Sequence, residues 1–233
     1  MSYIYKEQEI FIFVIKSKIA ISTERYYSCE ISKKLPIRIS VLAVDGAEGL
    51  GFVKALDNKK ETLDKWEELM KKSDQIIDFK ITHRTPSRYW NKVRQKLDYS
   101  SIHESILESG SMTILPITIE DGVQYHNILS PSAESFRKLL TNLQDRFTDV
   151  NIRALSSKPT ETMQDFLTDK QYETIMLAHR RGYYKIPKKI TLEELGEELG
   201  IKRVACQERL RRAEQKIIEF YVQDSLFSEF MFH

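Results

Sequence analysis

Between Lys202 and Lys216 the chain carries side chains suited to reading the edges of base pairs. At 100° per residue, Val204, Glu208, Arg211 and Gln215 share one helical face, flanked by Gln207 and Arg212, with Arg203 in the first turn. Arg bonds guanine in a bidentate way, Gln does the same with adenine, Glu accepts from cytosine, and Val meets the thymine methyl. Cys206, Leu210, Ala213 and Ile217 recur on the opposite face, which gives this helix an interior to join. Six basic residues stand against two acidic ones, Glu208 and Glu214, over the same stretch. The plainer alternative is a solvated face that meets only water.

A helix that reads bases has to be held by others. Thr191 and Glu194 have the spacing of a capping box, and Leu192, Leu195 and Leu199 form an apolar stripe after it. Gly196 leaves room for close helix approach, Gly200 suits the left-handed residue that ends a helix, and Ile201 plugs the turn. Two short helices joined by a turn with Gly predict a helix-turn-helix. Upstream, Thr168 caps a further helix, expected to bury Tyr172, Ile175, Met176 and His179 and to end at Gly182. Arg180, Arg181, Tyr183, Tyr184, Lys185, Lys188 and Lys189 then form a basic connection. Such a loop is suited to phosphates, which position a protein on a duplex without reading its sequence.

The run LTDKQYETIMLAHRRGYY, a short basic spacer, and then TLEELGEELGI and ERLRRAEQKI carry a resemblance. Together they resemble the helix-turn-helix domain of archaeal bacterio-opsin-activator-type regulators, itself similar to region 4 of bacterial sigma factors. The spacer with paired tyrosines, Gly182 to Pro187, sets that family apart from ordinary sigma-like domains. Two positions depart from the pattern. Lys202 stands where a Ser or Thr cap is expected, worth about 1 kcal/mol, and puts a cation at a helix start unless it faces a phosphate. Cys206 replaces a larger aliphatic residue.

The resemblance implies a site-specific regulator of transcription that binds double-stranded DNA, with the helix from Arg203 in the major groove. Arg203, Val204, Gln207, Glu208 and Arg211 are the expected base readers; Lys185, Lys188, Lys189, Lys202 and Arg212 are the expected phosphate contacts. A homodimer is expected, because one short helix reads few bases and two-fold pairing doubles the site. The competing reading is a protein-interaction adaptor that docks on the transcription machinery through its helix-turn-helix. An enzyme ranks behind both: no nucleophile-base pairing, metal-ligand spacing or phosphate loop stands out, and no cofactor is expected.

With 233 residues, 41% of them hydrophobic and 30% charged, the chain is long enough for two domains with real cores. Net charge is only +2, which excludes a general polycation. From Thr168 to Val222 there are twelve Lys and Arg against nine Asp and Glu, so any nucleic-acid footprint belongs there. Cys29 and Cys206 fall in different expected domains, and each reads as a small buried hydrophobe in a reducing cytoplasm. The apolar run over 10–15 is too short to span a bilayer, so no membrane association is expected.

The first two-thirds of the sequence reads as strands and helices in alternation. Strands are expected over 10–15, 26–31, 37–43, 52–53, 77–81, 112–120, 123–129 and 150–154; helices over 61–72, 86–97, 101–107 and from Ser132. Gly46 to Phe52 lacks the spacing of a phosphate loop and reads as a turn into a strand, while Asp121-Gly122 marks a hairpin and Pro116 an edge or bulge. The fold expected is α+β: a ferredoxin-like or ACT-like N-terminal domain over 1–156, a linker over 157–166, an all-α helix-turn-helix domain over 167–222 and an apolar tail over 223–233. The first domain is expected to sense a small-molecule effector or to mediate assembly; amino acids come to mind only by analogy with ACT folds.

Overall fold

The N-terminal two-thirds runs β1 (Ile15–Ser22), α1 (Tyr27–Lys34), β2 (Ile37–Asp45), β3 (Glu48–Ala55), α2 (Lys60–Lys72), β4 (Ile76–Arg84), β5 (Arg88–Gln95), α3 (Ile102–Glu108), β6 (Met112–Glu120), β7 (Val123–Ser130), α4 (Ala133–Arg146) and β8 (Asp149–Ser156). The computed structural model describes residues 14–96, 101–157 and 166–228, without the side chains of 223–228. Most of the expected first strand and of the linker therefore lies outside the described residues, as do the side chains of the expected tail. The chain divides into two compact units, Met1–Pro159 and Thr160–His233.

All eight strands join one sheet in the order β4-β5-β3-β2-β6-β7-β1-β8, and every neighbouring pair is antiparallel. Twice the chain runs strand, helix, strand, strand, helix, strand, which is the ferredoxin-like order. The two runs exchange their first strands: β1 lies between β7 and β8, and β5 lies between β3 and β4. β2 and β6 meet in the middle, with Ile39 opposite Ile119. One sheet results, not two.

Alternate residues of these strands share a face, and that face is apolar: Ile19, Ile21, Ile37, Ile39, Val53, Tyr89, Ile117, Ile119 and Ile128 are all buried in one core. Each helix adds to the same core, through Cys29 and Ile31, Leu63 and Trp66, Ile102 and Ile106, and Leu139 and Leu143. A fully buried side chain of this kind contributes about 1.5–3 kcal/mol, which makes this core the main source of the unit's stability. The hairpin at Asp121 (φ 46°) and Gly122 (φ 77°) forms as expected, and the β6 register shifts between Ile114 and Thr118, around Pro116.

Two expected elements change type. Residues 26–31 are not a strand but the start of α1, which buries Ser28, Cys29, Ile31 and Ser32. That spacing is helical; because two of the four buried residues are serines, the period is hidden from a hydropathy reading. Residues 86–97 are not a helix: Arg88–Gln95 is β5. Tyr89, Asn91 and Val93 point to the core side, while Trp90 pairs with Phe52 across the strands on the other face, ring centroids 5.1 Å apart. Pairing with both β3 and β4 outweighed the helical spacing of Trp90 and Val93. Among the described residues no helix is long and apolar enough to cross a membrane.

Candidate nucleic-acid interface

The second unit is built from α5 (Asp169–Arg181), α6 (Leu192–Glu198) and α7 (Arg203–Ser228). Thr168 caps α5: its hydroxyl accepts from the Gln171 N–H, and Gln171 returns the bond to the Thr168 N–H. Gly182, at φ 81°, ends it in the left-handed conformation that glycine adopts without strain. Thr191 and Glu194 close a second capping box at the start of α6, and the Thr191 N–H donating to Glu194 holds that carboxyl below its usual range.

Ala178, Leu195, Cys206 and Leu210 form the buried centre where the three helices meet, with Ile175, Leu192, Leu199 and Ile201 packed around it. The expected inner face of α5 is rotated. Tyr172, Met176 and His179 are exposed, and Thr174 and Ala178 are buried instead. Thr174 hides its hydroxyl by donating to the Lys170 carbonyl at 2.7 Å, and the small Ala178 side chain lets the other helices close on α5. Burial pushes the Cys206 thiol up, consistent with an inert packing residue.

The turn between α6 and α7 depends on Gly196 and Gly200. A Cβ on Gly196 would stand 2.7 Å from the Ile201 carbonyl oxygen, so only glycine permits this approach. Gly200 takes φ 65°, and the Ile201 N–H donates to the Gly196 carbonyl at 2.9 Å. The turn is therefore closed by backbone, and it sets the direction in which α7 leaves.

On α7, Arg203, Val204, Gln207, Glu208 and Arg211 are all exposed, opposite buried Cys206, Leu210 and Ala213. Lys202 and Arg212 are exposed beside them. Lys185, Lys188 and Lys189 sit in a loop that the Gly182 carbonyl closes by accepting from the N–H groups of Lys185 and Lys189, each at 3.1 Å. Lys188 lies over the Tyr183 ring at 4.1 Å, which fixes the aromatic part of the loop.

Three features escape a linear reading. Arg203 is paired with Glu193 of α6, ten residues away in sequence and adjacent only once the turn has folded. The Tyr184 hydroxyl donates to Glu214, tying the loop to α7; burial and that bond push the phenol well up, so it stays a donor. Ile186 is fully exposed between the loop lysines, and its only sequence signal is an apolar residue next to Lys185 and Pro187. A half-exposed pair such as Arg203–Glu193 is worth about 0.2–1 kcal/mol, so a guanine can compete for the guanidinium. Glu193→Gln is expected to tighten DNA binding by about twofold to fivefold, read by fluorescence anisotropy at constant salt; unchanged or weaker binding would show that the pair orients Arg203 productively.

Three packed helices, a turn only glycine permits and an outward row of Arg, Gln and Glu define a helix-turn-helix DNA-binding domain. Residues 167–219 match the HTH_10 family, described as an HTH DNA binding domain. The chain is 25% identical over 122 residues to the Transcriptional regulator NarO of Haloferax volcanii, covering 49% of this chain and 58% of that protein. It is 30% identical over 96 residues to the Dimethyl sulfoxide reductase transcriptional activator of the same organism, covering 36% of this chain and 45% of that one. The chain thus spans about half the length of these curated relatives.

Proposed function

We propose that this protein is a site-specific regulator of transcription that works in the cytoplasm without catalysis. α7 enters the major groove, where Arg203, Val204, Gln207, Glu208 and Arg211 read base edges. Lys185, Lys188, Lys189, Lys202 and Arg212 hold the flanking phosphates. The first unit senses a small molecule or mediates dimer formation, and two copies read two half-sites. The observation that carries this reading is the outward face of α7, rich in Arg and Gln, on a helix-turn-helix whose inner face is fully used by its own core. The relatives named as transcriptional regulators support the same direction.

The test is binding to duplexes from the protein's own promoters as salt is raised. Log affinity should fall linearly with log salt, by roughly 0.9 for each phosphate neutralised. Replacing Lys185, Lys188 and Lys189 together with Ala should flatten that slope by roughly 2.7 per bound chain, with little change in sequence preference. An adaptor that docks on protein would show no such slope. Arg211→Ala should cost about 1–3 kcal/mol on the preferred site and relax one base position. If instead every sequence loses affinity equally, Arg211 holds a phosphate and its assignment as a reader is wrong.

A further inference from the structure

The inner face of the eight-stranded sheet is not completely filled. Beside α1 and α3 lies a cavity of about 70 Å³, and a second of about 50 Å³ adjoins it towards α2; Ser28, Val41, Gly49 and Ile119 line both. Most of the lining is apolar, but four polar atoms on these walls are buried without a hydrogen-bond partner among the described residues: Ser28 Oγ, His126 Nδ1, His103 Nδ1 and Trp66 Nε1. His126 and Trp66 are each 1% exposed and Ser28 8%. Buried polar atoms are nearly always paired, and leaving one unpaired costs about 1–3 kcal/mol. Three of them, on Ser28, His126 and His103, belong to the lining of the first cavity, and together they mark a place built for a polar occupant.

The chemistry of that occupant follows from the donors and acceptors. Gln124 Nε2 donates to Cys29 Sγ at 3.5 Å, which turns Gln124 Oε1 towards His126 Nε2 at 3.2 Å. An amide oxygen only accepts, so Nε2 carries the proton and Nδ1 offers a lone pair. Burial holds the ring neutral, pushing His126 down to about 3, with His103 adding to the effect. Trp66 Nε1 can only donate, and the Ser28 hydroxyl can do either. The carboxylate among the described residues of these walls, Glu48, is already paired with Lys92 and Arg94. A charged ligand would lose its hydration with nothing to replace it.

We propose that these adjoining cavities take up a small uncharged molecule whose hydroxyl or amide N–H donates to His126 Nδ1 and whose oxygen accepts from Ser28. The inference rests on the sensing role given to the first unit and names its site. Gly49 lines both cavities, and a Cβ there meets only Val41 Cγ1 at 3.5 Å and the Ala43 carbonyl at 4.0 Å, ordinary contacts, so Gly49→Val adds volume at this wall without a clash at Cβ.

The experiment titrates the full chain with phenol and with propionamide, using benzene and propionate as controls. Binding is read by calorimetry and by the ¹⁵N resonance of His126 Nδ1. Saturable binding of phenol or propionamide is expected to move that resonance, to weaken at least about tenfold in Gly49→Val and in His126→Phe, and to be absent for propionate. If neither probe moves Nδ1, or if binding persists in Gly49→Val, the space holds ordered water only and the proposal fails. Promoter affinity measured with and without probe separates the two readings. A probe that occupies the cavity yet leaves promoter affinity unchanged supports the site and refutes sensing. A metabolite from cell extract that still alters promoter affinity in both variants refutes the site and leaves sensing standing.

Discussion

Replacing Gly196 with Val is expected to abolish sequence-specific DNA binding. The new Cβ would stand 2.7 Å from the Ile201 carbonyl oxygen and 3.5 Å from the Arg203 backbone nitrogen. Both neighbours are backbone, so no side-chain rotation relieves the clash; α6 has to move off the turn. The bond from the Ile201 N–H to the Gly196 carbonyl breaks with it, and the direction of α7 goes with that bond. Overpacking costs about 1–3 kcal/mol, occasionally more, and the buried apolar cluster where these helices meet is small, formed among the described residues by Ala178, Leu195, Cys206 and Leu210. There is little reserve to absorb such a loss. Specific affinity should fall to the non-specific level, a drop of about a thousandfold or more, as measured by competition between promoter and scrambled duplexes. Calorimetry should show a lowered transition for the second unit only. Full retention of promoter affinity would sink the assignment of this turn as the element that aims the reading helix.

The stability of the first unit is expected to fall as pH drops from about 6.5 towards about 3. Folded His126 stays neutral down to about 3 because burial, reinforced by His103, opposes the charge. In the unfolded chain the same imidazole takes up a proton from about pH 6.5. The unfolded state therefore binds more protons across that window, and stability is lost as pH falls through it. Above about 6.5 both states are neutral and His126 contributes no pH dependence. One proton corresponds to roughly 1 kcal/mol per pH unit, so the full window amounts to several kcal/mol, a large share of a typical domain's stability. Carboxylates held low by their partners, such as Glu48 beside Lys92 and Arg94, add to acid instability at the lower end. The decisive quantity is thus the difference between wild type and His126→Gln in urea unfolding at a series of pH values. Wild type should lose stability relative to His126→Gln as pH falls, so that any advantage it holds at neutral pH narrows; a constant difference would mean that the ring titrates in the fold as it does in the unfolded chain.

Much of the second unit was legible because its signals are local. Thr168 with Gln171 and Thr191 with Glu194 declare helix starts within four residues, and Gly182 and Gly200 declare the ends. Leu192, Leu195 and Leu199 repeat at helical spacing, and α7 buries Cys206, Leu210 and Ala213 as its period requires. The phase of α5 departs from its hydropathy pattern: large Tyr172 and Met176 lie outward, while Thr174 and Ala178 face in. What is buried there was chosen by how closely the other helices approach, and that quantity has no local signature.

By themselves, the amino acids determined that the C-terminal part is a three-helix DNA-binding unit and which side chains its last helix turns outward, since period, caps and glycines act over a few residues. Only the tertiary structure decided that β1 and β5 change places between the two ferredoxin-like runs, that residues 26–31 coil and 88–95 extend, that Glu193 takes hold of Arg203, and that His126, His103 and Ser28 gather around one cavity. Each of these depends on partners distant in sequence, from the ten residues between Glu193 and Arg203 to the separation of Lys16 from Ser156, whose contribution of packing and hydrogen bonds exceeds the fraction of a kcal/mol by which local propensity prefers one conformation to another.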